Sequence, residues 1–373
     1  MKFSDFIDVR DGTHESPKAT DKGKKLITTK NLSTNHIDFS NAKNISVNDF
    51  NHINERSNVE KYDILLSMIG TVGNVYQEKN DNPDYAIKNL ALLKFHGDEL
   101  LSNWMNYYLQ SEDGQNKIKQ KLNGSTQQFI SLKELRNLEI ELPTKKEMET
   151  KSRPLNLIDG LIQKNNQLND NLLELISSIW ENQSADIHNK ITLKRLAKMI
   201  ITGKTPSTKV KENYGTDIPF VKIPDMRNKV FIDEASQNLS IFGANSQKNK
   251  YIPENSIIVS CIGTPGLVSL IGRTVQTNQQ INSLILDNKY IYCTYLELKS
   301  LKYKIRNLSS GGTTIKNLNK TDFGNIRITV PNKDSQLDRF NRIAKPIFKK
   351  IHVNNIELQN LVKVKEVLLG QYF

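Results

Sequence analysis

The 373-residue chain contains one unit twice, and a duplicated unit restricts it to a tandem arrangement of similar domains. Ser67, Met68, Ile69, Gly70, Thr71, Val72 and Gly73 return 193 residues later as Ser260, Cys261, Ile262, Gly263, Thr264, Pro265 and Gly266. Each run is preceded by an apolar triplet, Ile64 to Leu66 and Ile257 to Val259. Further on, Gly124, Ser125, Thr126, Ile130 and Leu142-Pro143 return at a displacement of 188 as Gly312, Thr313, Thr314, Leu318 and Val330-Pro331, and Asn89 stands opposite Asn282. One such match is ordinary; several in the same order at nearly one displacement define a repeat. The two units then span 1–143 and 191–331, each closed by a proline that restricts the residue before it. Within them, the β-branched runs Ile64 to Ile69 and Ile257 to Ile262, the alternation Leu138, Ile140, Leu142 and Ile326, Ile328, Val330, and the helical stretch Leu100 to Leu122 predict an irregular α+β domain.

The segment behind each unit differs in kind. Over 144–183 and 332–373, the first joined to the second unit by a linker at 184–190, apolar residues recur at helical spacing. Ile158, Leu161, Asn165, Leu168, Leu172, Leu175 and Ile179 form a heptad stripe, and so do Ile347, Ile351, Asn354, Leu358, Leu361, Lys365 and Leu368. A polar seam residue costs stability but fixes register, so Asn165 and Asn354 predict that the helices pair with each other. At 1.5 Å per residue such helices run to about 58 Å, longer than a 140-residue domain is wide, which suits a spacer better than a helix packed on its own domain.

Charge narrows the partner. Lys and Arg number 52 against 40 Asp and Glu, a net charge of +12, and the pI is 9.3; a polyanion, nucleic acid first, is the expected partner. Two cysteines, Cys261 and Cys293, exclude a disulfide scaffold and suit a cytoplasmic protein. The uncharged stretch Asn255 to Gly272 is broken by Ser260, Gly263, Pro265 and Gly266 and reads as two strands, and Asp5, Asp8 and Asp11 interrupt any signal core, so neither membrane insertion nor export is expected.

Catalytic patterns are missing. Gly203-Lys204-Thr205 lacks the first glycine of a phosphate loop, Lys198 and Met199 standing in that region. The histidines His14, His36, His52, His96, His188 and His352 have no i, i+4 pair, so no metal is expected. The chain has no Pro-Pro dipeptide, which an adenine methyltransferase uses to grip its flipped base. Asp225, Glu297 and Lys299 offer the residue types of a metal-dependent nuclease, the main enzymatic alternative; a non-specific nucleic-acid scaffold is the other.

Binding chemistry gathers in loops. Lysines neutralise phosphates and small polar side chains reach base edges. The candidates in the first unit are Arg10, Thr13, His14, Lys18, Lys22, Lys24, Lys25 and Lys30, then Ser125, Thr126 and Gln127. Those in the second are Lys204, Thr205, Ser207, Lys209, Lys211, Lys222 and Arg227, then Thr313, Thr314 and Lys316. The plain alternative for each is a solvated loop.

Taken together, the sequence resembles the specificity subunits of type I restriction-modification enzymes over essentially its whole length. The pattern rests on Arg10-Asp11-Gly12-Thr13-His14 with Pro17, the two Ser-x-Ile-Gly-Thr-x-Gly strands, Gly124-Ser125-Thr126-Gln127 with Ile130, and the Leu-Pro ending. The resemblance implies two tandem α/β target-recognition domains separated by long helices that pair as an antiparallel coiled coil. It also implies a non-catalytic reader of double-stranded DNA, each domain taking half of an asymmetric split site while the helices set the gap. Two modification subunits carrying S-adenosylmethionine would dock on it and methylate adenine. Restriction subunits using ATP and Mg would join the full complex, and no cofactor is expected on this chain.

Overall fold

The computed structural model describes residues 1–124, 127–308 and 318–373. The chain divides into two compact units: Met1–Gln163 with Leu361–Phe373, and Lys164–Asn360.

The first unit is built on an antiparallel sheet in the order Asp8–Asp11, Leu90–Lys94, Ile64–Ser67, Val75–Gln77. Its two central strands are buried throughout, as an unbroken apolar run requires. Because successive side chains alternate between faces, the sheet serves two cores. Ile64, Leu66, Ala91 and Leu93 pack with Trp104, Met105, Tyr108 and Leu109 of the helix Glu99–Gln110, whereas Leu65, Leu90 and Leu92 pack with Ile27, Tyr85 and Ile87. The last three belong to a second sheet in which Lys24–Thr28 runs parallel to Tyr85–Lys88. Instead of one helical stretch from Leu100 to Leu122, the structure has two helices broken at Ser111, whose Oγ caps the second by accepting from the Gly114 amide at 3.2 Å. The alternation at Leu138 to Leu142 yields only a bridge between Lys2 and Glu139, while its counterpart Arg327–Thr329 pairs with Lys190–Thr192.

The second unit repeats this plan. Its sheet runs Met199–Thr202, Ile281–Ile285, Ile257–Ser260, Val268–Ile271, Phe231–Ile232. Ile257, Val259 and Leu284 face one core, and Ile258 and Ile281 face another. The duplication is closest at the glycine turns. Ser67 Oγ donates to the Thr71 carbonyl at 2.6 Å and accepts from the Asn74 amide at 2.8 Å; Ser260 Oγ donates to Thr264 at 2.6 Å and accepts from Leu267 at 2.9 Å. Gly70 and Gly263 have φ of 77° and 78°, and Gly73 and Gly266 of 95° and 93°, values that glycine adopts without a Cβ penalty. One expected match fails. The ladder sets Ser67 opposite Leu90 and Ser260 opposite Ile281, so Asn282 corresponds to Ala91 rather than to Asn89.

The long helices span Lys145–Ser184 and Asp334–Tyr372, and each accommodates an interior proline, Pro154 and Pro346. In the first unit they meet through a buried ion pair: Lys365 Nζ lies 2.7 and 3.0 Å from the two carboxylate oxygens of Asp159, and Lys151 Nζ sits 5.5 Å over the Phe373 ring. In the second unit Asn354 Nδ2 donates to Asn169 Oδ1 at 2.9 Å, and Trp180 packs on Phe340 with ring centroids 4.8 Å apart. Numbers rise along one helix as they fall along the other, so within each unit the pairing is antiparallel.

On the second helix the expected seam is the packed face: Ile351, Asn354 and Lys365 are buried, and Ile347, Leu358, Leu361 and Leu368 are half-buried. The first helix needs a correction. Ile158 is buried and Asn165, Leu172 and Ile179 are half-buried, but Leu161, Leu168 and Leu175 are 47%, 39% and 51% exposed. The packed face instead carries Met148, Ser152, Leu155, Asp159, Ile162, Asn169, Leu173, Ile176 and Trp180. Polar residues on it find partners, Asp159 on Lys365 and Asn169 on Asn354, so a stripe drawn through apolar residues alone falls on the neighbouring face.

Candidate nucleic-acid interface

In both units the first strand of the main sheet leaves through a glycine. Gly12 N donates to the Leu90 carbonyl at 2.9 Å and Thr13 N to Ile87 at 3.0 Å; Gly203 N donates to Ile281 at 3.1 Å and Lys204 N to Thr277 at 3.0 Å. A Cβ at Gly12 would stand 2.4 Å from the Ile87 carbonyl oxygen, and one at Gly203 would stand 2.2 Å from that of Asn278 and 2.3 Å from that of Thr277. Glycine is therefore demanded by close backbone approach, and the side chains just beyond it emerge at equivalent places.

Those side chains differ. The exposed His14 bridges Asp11 Oδ2 and Asn89 Oδ1, each at 2.9 Å. Asp11 is buried and also receives the Arg56 guanidinium. In the second unit Thr205 Oγ1 donates to Gln279 Oε1 at 2.7 Å. Gln247 braces the strand exit there, its Nε2 donating to the Lys204 carbonyl at 2.9 Å and to Gln276 Oε1 at 2.7 Å. Arg56, Gln247 and Gln279 give no signal in the sequence because each is placed by a partner more than 40 residues away along the chain.

The candidate cations separate into two groups. Lys18, Lys22, Lys30, Lys204, Lys209 and Lys211 are exposed and make no side-chain hydrogen bond or ion pair among the described residues. Others are held by the fold. Lys24 pairs with Asp84 at 2.6 Å, Lys25 donates to the Ala42 carbonyl at 3.1 Å, and Arg10 is tied to Asp8 at 2.7 Å and donates to the Arg56 carbonyl. Lys24 and Lys25 thus also brace their own strand and its neighbours. Thr13 serves mainly through its backbone and by accepting from the Glu15 amide, while Lys222 lies 5.8 Å over the Phe220 ring. Gln127, Ser207 and Arg227 are exposed. Ser125, Thr126, Thr313, Thr314 and Lys316 lie outside the described residues.

The acidic residues that suggested a nuclease are engaged separately. Asp225 accepts from the amides of Lys222 and Ser236, whereas Glu297 accepts from Trp180 Nε1 at 2.8 Å and from the Thr329 amide at 2.7 Å. Burial lowers the pKa of Lys299 and pushes the Cys261 thiol up to about 12, which leaves the latter an inert core group. Among the described residues no helix is long and apolar enough to cross a membrane.

Two α+β units thus share one backbone framework and carry differing, cation-flanked loops at the strand exit. The chain belongs to the type I restriction modification DNA specificity domain family, whose model matches residues 1–176 and again 188–363. It is 46% identical over 174 residues to the specificity subunit of the type I restriction enzyme HindI of Haemophilus influenzae. That match covers 46% of this chain and 38% of the relative, well under two thirds of its length. It is 24% identical over 336 residues to the MjaIX specificity subunit of Methanocaldococcus jannaschii, covering 82% of this chain and 75% of that one. In fold it is similar to the type I restriction-modification S subunit from M. genitalium, with a TM-score of 0.55 and 17% identity over 100% of this chain and 95% of that one.

Proposed function

We propose that this chain is the non-catalytic DNA-reading subunit of a type I restriction-modification complex, each unit recognising one half of an asymmetric split site. The observation that carries this reading is the repeated strand exit: one backbone framework, two different sets of exposed side chains. Two unlike readers in one chain address a non-palindromic site, as a symmetric dimer does not. The long helices set the gap between the half-sites. Their exposed apolar residues, Leu157 and Leu161 in the first unit and Leu168, Leu175, Val353 and Ile356 in the second, are the surfaces on which modification subunits dock. S-adenosylmethionine belongs to those subunits, and ATP and Mg to restriction subunits where present; the complex works in the cytoplasm.

A genome-wide adenine-methylation map of a host carrying the modification subunit, with and without this chain, tests the proposal. A split motif that disappears with the chain is the expected result; an unchanged map overturns it. The unpaired cations add a second expectation. Replacing Lys18, Lys22 and Lys30 together by Ala should weaken binding to every duplex and reduce the salt slope by up to about three phosphate contacts. A loss restricted to the preferred sequence, measured by titration at several salt concentrations, would contradict phosphate neutralisation.

A further inference from the structure

The two strand exits carry one further regularity. In each unit an exposed or half-exposed carboxamide is held by a polar side chain two residues beyond the exit glycine: Asn89 by His14 at 2.9 Å, and Gln279 by Thr205 at 2.7 Å. Both amides lie in the same turn, between the residue that accepts the amide next after the exit glycine, Ile87 or Thr277, and the residue that accepts the glycine itself, Leu90 or Ile281. The turn is one residue longer in the second unit.

These pairs are not needed to hold the backbone, which is already closed by the glycine hydrogen bonds. Nor does backbone conformation demand a carboxamide. Asn89 has φ of 54°, a region that favours Asn, but Gln279 is not among the residues with positive φ. The framework is the same in both units while the exposed pair changes from His–Asn to Thr–Gln, and cations stand beside each: Lys88, 2.5 Å from Ser16 Oγ, in the first unit and the exposed Lys204 in the second. A carboxamide fixed by one hydrogen bond keeps its donor group and the second lone pair of its oxygen, the combination that pairs with N6 and N7 of adenine in the major groove.

We infer that Asn89 and Gln279 are specificity-determining residues, each reading an adenine in its own half-site, and that His14 and Thr205 are positioning residues that orient them. This rests on the DNA-reading function proposed above. The exposed Lys204 and the other unpaired lysines of these loops hold phosphates and set affinity; the amides choose the base.

The test is selection of duplexes from a randomised DNA library by the full chain, with the selected duplexes then sequenced. Asn89→Gly removes the amide while keeping a residue at ease with positive φ, and Asn89→Asp keeps the backbone preference but leaves only acceptors, which favour cytosine N4. With Asn89→Gly or Gln279→Ala, discrimination for adenine at a single position should fall by about tenfold or more, in one half for the first and in the other half for the second. Asn89→Asp should shift that same position toward cytosine. Thr205→Val should relax the position affected by Gln279→Ala, and Thr205→Ser, which keeps the hydroxyl, should restore it. A wild-type motif left unchanged by all these variants overturns the inference and spares the DNA-reading function. Loss of a whole half-site by both Asn89→Gly and Asn89→Asp also overturns it, because it marks a structural role. A wild-type chain that selects no motif overturns the functional proposal itself.

Discussion

Lys365→Met is expected to destabilise the first unit by about 3–5 kcal/mol, the usual cost of stranding a buried charge. The lysine is 7% exposed, grips both oxygens of Asp159, and has its ammonium 5.3 Å from the Tyr107 ring centroid. Tyr107 faces the same carboxylate, its hydroxyl 2.9 Å from Asp159 Oδ2 and 2.8 Å from Asn156 Oδ1. Burial lowers the lysine's pKa against the pull of Asp159, and burial with the nearby carboxylate raises that of Tyr107, so the carboxylate is the group around which the others are arranged. Deleting the ammonium leaves that carboxylate nearly dry. The double variant Lys365→Met, Asp159→Leu should recover most of the loss, since an apolar replacement of a whole buried pair is often neutral or better. Denaturant titration measures both; a single-variant loss under about 1 kcal/mol would mean that water reaches the pair.

Gly203→Ala is the second large effect, expected to cost about 3 kcal/mol and to abolish recognition of one half-site only. The added methyl meets two backbone carbonyl oxygens and Thr277 Oγ1, all within 2.3 Å, so the strand must leave the sheet. Gly70→Ala is the contrast. Nothing lies within 4 Å of its Cβ position, and only its φ of 77° resists, a cost of about 1 kcal/mol. Thermal melting and the selected motif of the two variants would separate these cases. Equal effects would show that the close approach at Gly203 costs no more than the positive φ at Gly70.

The duplication is legible in the sequence because its turns demand particular residues. Gly70, Gly73, Gly263 and Gly266 sit at positive φ, and Ser67 and Ser260 satisfy backbone groups that an apolar residue would leave unpaired. The two cores on either side of each sheet are legible from runs such as Ile64 to Ser67 and Ile257 to Ser260. The packed face of the first long helix is not. Asp159 and Asn169 read as surface residues until Lys365 and Asn354, far along the chain, supply what they lack. The candidate loops show the same division. Lysines mark its loops, but the separation of Lys22 from Lys24 and Lys25 depends on Asp84 and on the Ala42 carbonyl, and the amides Asn89 and Gln279 become visible only when the strands are paired.

The first unit is discontinuous, taking Leu361–Phe373 as well as Met1–Gln163, while the second is one uninterrupted segment. During synthesis, at about 5–20 residues per second, the usual order in which the amino-terminal domain matures first is therefore reversed at its last step. The nascent first unit emerges with Asp159 lacking its lysine and Trp104 lacking the Phe373 ring that ends 6.1 Å from it, and it waits while Lys164–Asn360 is made. A message cut short between the codons for Leu361 and Phe373 would release a chain whose second unit is whole and whose first is left unfinished.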